Sequence, residues 1–174
     1  LANRALLIGS QTGNLQGVVN DVGAMMKLLD ARRFTIQRLD EHRATRAAIL
    51  DGYEKLIADT QDGDAAVFYF SGHGGRSKNP DASRGPAYYQ FIVPIDIYDT
   101  KEGDFRGITS HELSALLSRL TAKTKNVTVI LDCCHSAMMS RGPELFRVKV
   151  LPREWKLGIE SHLELLRRQG IDVS

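Results

Sequence analysis

At 174 residues, with 43% apolar and 25% charged side chains, the chain has the size and composition of one globular domain with its own core. A net charge of +2 gives no broad basic surface for nucleic acid, and no apolar run approaches the roughly 20 residues of a membrane helix. The only cysteines, Cys133 and Cys134, are adjacent, which leaves no intrachain disulfide framework, points to a reducing, cytoplasmic compartment and turns attention to thiol reactivity.

In chain order, Arg4 to Ile8 reads as a first strand, closed by Gly9-Ser10 and a polar loop to Gly17. Val18, Val22, Met25, Met26 and Leu29 then recur at helical spacing, giving an amphipathic helix to about Asp30. Phe34 to Leu39 alternates as a strand. Thr45 is placed to cap a helix with Ile49, Tyr53, Leu56 and Ile57 inward. Asp62-Gly63-Asp64 turns the chain into Ala65-Ala66-Val67-Phe68-Tyr69-Phe70, a buried strand followed by Ser71-Gly72-His73-Gly74-Gly75.

Residues 75–87 read as a mobile loop, and Tyr88 to Val93 as a strand that Pro94 makes an edge or terminating one. Thr109-Ser110-His111-Glu112 fits a capping box, with Leu113, Leu116, Leu117 and Leu120 as one stripe behind it. Val127 to Leu131 is a second run expected to be buried on both faces, ending at Asp132-Cys133-Cys134-His135-Ser136. Residues 140–153 read as a long exposed loop, and Glu154 to Gln169 as a last helix with Ile159, Leu163 and Leu166 inward and Gly170 past its end. Strands alternating with helices imply right-handed βαβ units, hence an α/β fold: a three-layer α/β/α sandwich around a mostly parallel sheet.

In such folds chemistry collects beyond the carboxyl ends of the strands. One buried strand delivers a thiol there and another an imidazole, about sixty residues apart in sequence. An imidazole next to a thiol stabilises the thiolate and can later protonate a leaving amine. Alternation along a strand sends Cys133 and Cys134 to opposite faces, so only one of them can meet His73. Gly72, Gly74 and Gly75 are read as allowing positive φ and a close approach to substrate, and the N–H groups of Gly74 and Cys134 as an oxyanion hole. Zinc bound by Cys133, Cys134, His135 and His73 is the metal alternative. Adjacent cysteines lack the usual gap between zinc ligands, so no metal is expected.

Phe68-Tyr69-Phe70-Ser71-Gly72-His73-Gly74-Gly75 and Leu131-Asp132-Cys133-Cys134-His135-Ser136 resemble the His and Cys motifs of the caspase-like cysteine peptidases, in particular the metacaspase and bacterial orthocaspase branch. Leu15 to Val22 resembles a further segment of that branch, and the likeness runs over roughly residues 4–140. The resemblance implies a caspase-like fold, His73 as general base or acid, Cys134 as nucleophile, and an acidic pocket for Arg or Lys lined by Asp21, Ser71 and Asp132. Two carboxylates at a pocket mouth suit the forked donors of a guanidinium. The implied partners are proteins or peptides with Arg or Lys before the cut, and the implied state is a monomer. An enzyme with that preference would find self-cleavage sites at Arg141, Arg147, Lys149 and Arg153 in a processing-type loop.

The chain departs from the family pattern as well. Thr109-Ser110-His111-Glu112 has little carboxylate character where metacaspases commonly carry calcium-binding acids, so no cofactor is expected and calcium independence is favoured. Asp96, Asp99, Glu102 and Asp104 are the residues that keep calcium in play, and Ala137 stands where the family often has Gly. Residues 1–174 are taken as a single peptidase domain without the family's C-terminal small-subunit part. Two other functions compete: a catalytically silent caspase-like adaptor, and a flavodoxin-like FMN protein using Gly9-Ser10-Gln11-Thr12-Gly13-Asn14 as a phosphate loop.

Overall fold

Four parallel strands carry the fold: β1 (Asn3–Ser10), β2 (Thr35–Asp40), β3 (Ala65–Gly72) and β7 (Asn126–Asp132), in the order β2-β1-β3-β7. The structure is a computed structural model and describes residues 1–83, 85–133, 151 and 154–174. Side chains of β1 and β3 alternate between two cores. Leu6, Ile8, Phe68 and Phe70 face one cluster, into which helix α2 (Arg46–Asp59) sends Ile49, Tyr53, Leu56 and Ile57 and α3 (Ser110–Lys123) sends Leu116 and Leu120. Ala5, Leu7, Val67 and Tyr69 face the other, under Val22 and Leu29 of α1 (Val18–Asp30). Helices on both faces of a mostly parallel sheet give the α/β/α sandwich that the alternating pattern implies.

A second sheet, antiparallel and three-stranded, follows the order β4 (Gly74–Lys78), β5 (Tyr88–Ile92), β6 (Ile108–Thr109). It encloses a third core of Tyr89, Phe91, Val93, Ile97 and Phe105, closed by Ile159, Leu163 and Leu166 of α4 (Ile159–Arg168). Several expectations change here. Residues 75–78, read as part of a loop, pair with β5 together with Gly74, and that pairing makes β5 the central strand rather than an edge; Pro94 lies beyond its end. The last helix begins at Ile159, not near Glu154. Its N-cap is Gly158 at φ +72, and the Trp155 N–H is taken by the Arg76 carbonyl at 2.9 Å, so the chain before Gly158 is tied to β4. Strand β7, expected to be covered on both sides, is the outermost described strand, and Val129 is 38% exposed.

Both capping predictions are realised. The Thr45 hydroxyl accepts from the Ala48 N–H at 3.2 Å, and Thr109 and Glu112 form a reciprocal capping box. Glu112 does more than cap. Its carboxylate also accepts from Arg46, at the start of α2, and from His162 Nε2 of α4 at 3.1 Å, so one buried acid joins three helices. Burial alone would push this carboxyl up. The hydrogen bonds from His162 and Arg46, with the Arg46 charge, outweigh burial and hold it at about 2.

A carboxyl whose folded value lies below its unfolded one contributes stability that is present above the unfolded value and lost as pH falls toward the folded one. Unfolding free energy should therefore decline between about pH 4.5 and pH 2. Glu112→Ala, which leaves the half-buried Arg46 with only the Gly107 carbonyl to bond and His162 without its acceptor, should lower stability at pH 7 by about 3 kcal/mol and flatten that acid limb, as read by urea unfolding at a series of pH values.

Candidate active site

The parallel register decides what meets at the carboxyl edge. β3 pairs with β1 so that Ser71 lies beside Gly9, and with β7 so that Ser71 lies beside Asp132. On β3 the residues Val67 and Tyr69 point to the α1 side, and Ser71 continues that alternation. Asp21, in the first turn of α1, reaches the same spot. The Ser71 hydroxyl is 3.3 Å from Asp21 Oδ2 and 3.5 Å from Asp132 Oδ2, with Ser71 fully buried and both aspartates half-buried. A hydroxyl has one proton and can donate to only one carboxylate at a time. The arrangement is thus an acidic pair with a serine floor, suited to a cation with several donors.

His73 follows β3 directly and is buried. Its carbonyl accepts from the Val93 N–H at 3.1 Å, which fixes the backbone where β3 gives way to β4. The loop after β1 comes up beside the ring: a side chain at Gly13, whose φ is +59, would stand 3.8 Å from His73 Nε2. The buried Ser10 hydroxyl donates to the Val93 carbonyl at 2.6 Å and ties this loop to the small sheet.

Gly74 lies opposite Ile92, next to the hydrogen-bonded pair of His73 and Val93. Backbone groups of such an intervening residue point away from the partner strand. Its carbonyl does so, taking the Leu151 N–H at 3.0 Å, and its N–H shares that direction. The expectation of positive φ at Gly72, Gly74 and Gly75 is not met; none of them is among the positive-φ glycines. Their role is close approach instead. A Cβ on Gly75 would lie 2.3 Å from the Phe91 ring, and one on Gly72 would lie 2.8 Å from the Ser10 carbonyl.

Cys133 continues the opposite alternation, packing half-buried against the cluster of Phe68, Phe70 and Leu131. Cys134 with its backbone N–H, His135, Ala137 and the basic residues Arg141, Arg147, Lys149 and Arg153 lie outside the described residues. So does the 140–153 stretch apart from Leu151, whose side chain is buried in the third core. Among the described residues no group of three or more His, Cys, Asp and Glu is placed to hold a metal. Asp96 accepts from the Arg46 N–H at 2.9 Å and from Arg106 at 3.2 Å. Asp104 accepts from Arg106, and Glu102 from the Ser161 hydroxyl. Among the described residues, no helix is long and apolar enough to cross a membrane.

A parallel sheet covered by helices on both faces, with a histidine and an acidic pair at its carboxyl edge, defines an α/β protein whose polar groups gather where such sheets place their sites. The sequence profile of the metacaspase, peptidase C14 domain matches residues 3–143, and the chain belongs to that family. Metacaspase-1A of Aspergillus fumigatus is 29% identical over 177 residues, an alignment covering 94% of this chain and 42% of that protein. Metacaspase-1 of Schizosaccharomyces pombe is also 29% identical, over 98% of this chain and 40% of its own length. The chain thus spans about two fifths of the curated relatives it matches. A crystal structure of a Geobacter sulfurreducens protein superposes with a TM-score of 0.69 over 99% of this chain and 66% of that one, at 18% identity, which is a likeness of fold.

Gly75 offers a direct check on the packing behind His73. Phe91 is fully buried and stacked edge-on against Phe105 at 5.1 Å, so displacing its ring disturbs that pair. Gly75→Ala should cost about 1–3 kcal/mol, seen as a lowered melting temperature.

Proposed function

We propose that the protein is a cysteine endopeptidase that cuts after Arg or Lys, with Cys134 as nucleophile and His73 as its acid–base partner. The observation that carries this reading is the meeting of Asp21, Ser71 and Asp132 at the carboxyl edge of the sheet, where the strand that leads to His73 ends. The packing of Cys133 supports the choice of thiol: its side chain is engaged by the core around Phe68 and Phe70, on the face opposite to Ser71, which leaves Cys134 as the nucleophile of this reading.

The chemistry follows from those roles. The Cys134 thiol passes its proton to the His73 ring, and the thiolate sulfur bonds to the scissile carbonyl carbon. The electron pair displaced onto the carbonyl oxygen is met by the N–H groups of Gly74 and Cys134. Collapse of this adduct breaks the C–N bond, and the imidazolium returns its proton to the departing amine. Water, deprotonated by His73, then splits the thioester and regenerates the thiol. Asp21 and Asp132 hold the Arg or Lys side chain of the substrate while Ser71 forms the pocket floor. No cofactor enters, and calcium is not required. The protein acts as a cytoplasmic monomer on protein or peptide substrates, and its self-processing sites are Arg141, Arg147, Lys149 and Arg153.

A panel of peptide reporters ending in Arg, Lys or Asp, presented to the full-length protein with calcium or with a chelator, tests this. Cleavage is expected after Arg and Lys, equal in both conditions, and abolished by Cys134→Ala or His73→Ala but not by Cys133→Ala. Asp21→Asn and Asp132→Asn should each lower kcat/KM for the Arg reporter at least tenfold. Cleavage after Asp alone refutes the acidic-pocket assignment; no Cys134-dependent cleavage of any reporter refutes the peptidase, and favours an adaptor. Mapping new chain termini in wild type and in Cys134→Ala tests self-processing, and identical banding refutes it.

A further inference from the structure

Two aromatic side chains, the exposed Tyr98 and the half-buried Trp155, play no part in the chemistry above. The side-chain position of Gly13 that lies 3.8 Å from His73 Nε2 also lies 4.0 Å from the Tyr98 hydroxyl, so the imidazole and the phenol flank the same point of the loop. Tyr98 is 63% exposed although its neighbour Ile97 is fully buried. The turn Ile97–Asp99 is closed by hydrogen bonds from Ile97 N–H to the Pro94 carbonyl and from Thr100 N–H to the Ile97 carbonyl. Anchoring Ile97 inward directs Tyr98 outward.

The Trp155 ring lies 6.3 Å from that of Tyr98, inclined at 53°. Its position is secured at two points: its backbone N–H donates to the Arg76 carbonyl, and its indole N–H donates to the Leu157 carbonyl at 2.8 Å. With the indole N–H spent inside the chain, the ring offers a partner only apolar surface. Leu157, two residues further on, is 48% exposed. Trp155 also packs, half-buried, against the third core, so the exposed Tyr98 ring has a fixed aromatic neighbour, and a partly exposed aromatic pair held in place marks a binding surface.

We propose that Tyr98 and Trp155 form an apolar subsite that holds an aromatic or branched aliphatic side chain of the substrate, on a residue flanking the Arg or Lys at the cut. This rests on the peptidase reading with His73 at its centre. The occupant follows from location. The Tyr98 hydroxyl faces the same point of the Gly13 loop as the imidazole, across which the peptide backbone must pass, while the basic side chain goes to Asp21 and Asp132. Cationic specificity and apolar specificity then come from separate walls of one cleft. Gly13 keeps the space between imidazole and phenol free of a side chain.

The test uses two sets of Arg-ending reporters on the full-length protein, identical except that the flanking residues are Phe or Leu in one and Ala in the other. Wild type should cleave the apolar set about tenfold better by kcat/KM. In Tyr98→Ala and in Trp155→Ala that ratio should fall toward one, through KM, whereas Trp155→Phe should preserve it. Tyr98→Ala changes a mostly exposed ring, so its reading does not depend on refolding the core. A wild-type ratio near one, or a ratio unchanged in both alanine variants, overturns the subsite and leaves the peptidase standing. Absence of Cys134-dependent cleavage in either set overturns both.

Discussion

The constant register of the parallel ladder is the constraint from which the site follows. β1, β3 and β7 run side by side without a bulge, from Asn3 beside Ala65 and Ala65 beside Asn126 up to Ser71 beside Asp132. Because side chains alternate strictly along each strand, a slip of one residue would exchange the two faces. Ser71 and Asp132 would turn into the apolar cluster around Phe68 and Phe70, and Cys133 would turn out. The buried residues on each face, Leu6, Ile8, Phe68 and Phe70 against α2 and α3, and Leu7, Val67 and Tyr69 against α1, make that slip prohibitive. Core packing thereby specifies which polar residues reach the carboxyl edge, and on which side.

α1 supplies the third member of the cluster at low cost. Its N-cap, Gly17, has no side chain to cap the helix, and Asp21 sits in the first turn, where the backbone N–H groups are electropositive. A carboxylate there is favoured by the helix and stands close to a second carboxylate across the Ser71 hydroxyl. The overall charge of +2 conceals this local concentration of negative charge. A chain with no net attraction for cations can still present one acidic spot at the end of its sheet.

Much of this was legible in the residues. Apolar runs ending at His73 and Asp132, helical stripes behind Thr45 and Thr109, and the turn at Gly63 all carry local signals that tertiary packing reinforces. The acidic cluster was legible only through family resemblance, because nothing in spacing tells that Asp21 and Asp132 both reach Ser71; the register places Asp132 there, and the packing of α1 places Asp21. The small sheet was misread for a physical reason. Gly74-Gly75-Arg76-Ser77-Lys78 has none of the β-branched or aromatic character of a strand, and it becomes one because Phe91 needs a partner strand without side chains in its way. The same logic hid Trp155. Helical periodicity runs back through Glu154, and the glycine that stops it, Gly158, looks unremarkable until the chain before it is seen bonded to β4.

The Glu112 cluster and the candidate site are connected through this last feature. Glu112 binds α4 to α2 and α3 in a buried, charge-assisted arrangement, and α4 in turn closes the core around Phe91 and Phe105. Phe91 underlies Gly75, two residues beyond His73, and Leu151 and Trp155 bond to the free edge of the strand that begins at Gly74. Chain that follows the thiol in sequence is therefore fastened to the strand that follows the imidazole. Loosening α4 would relax the strand behind His73 and shift Trp155 relative to Tyr98 in the same movement. A chain of contacts thus runs from the buried Glu112 through α4 and the third core to Trp155 and the strand behind His73.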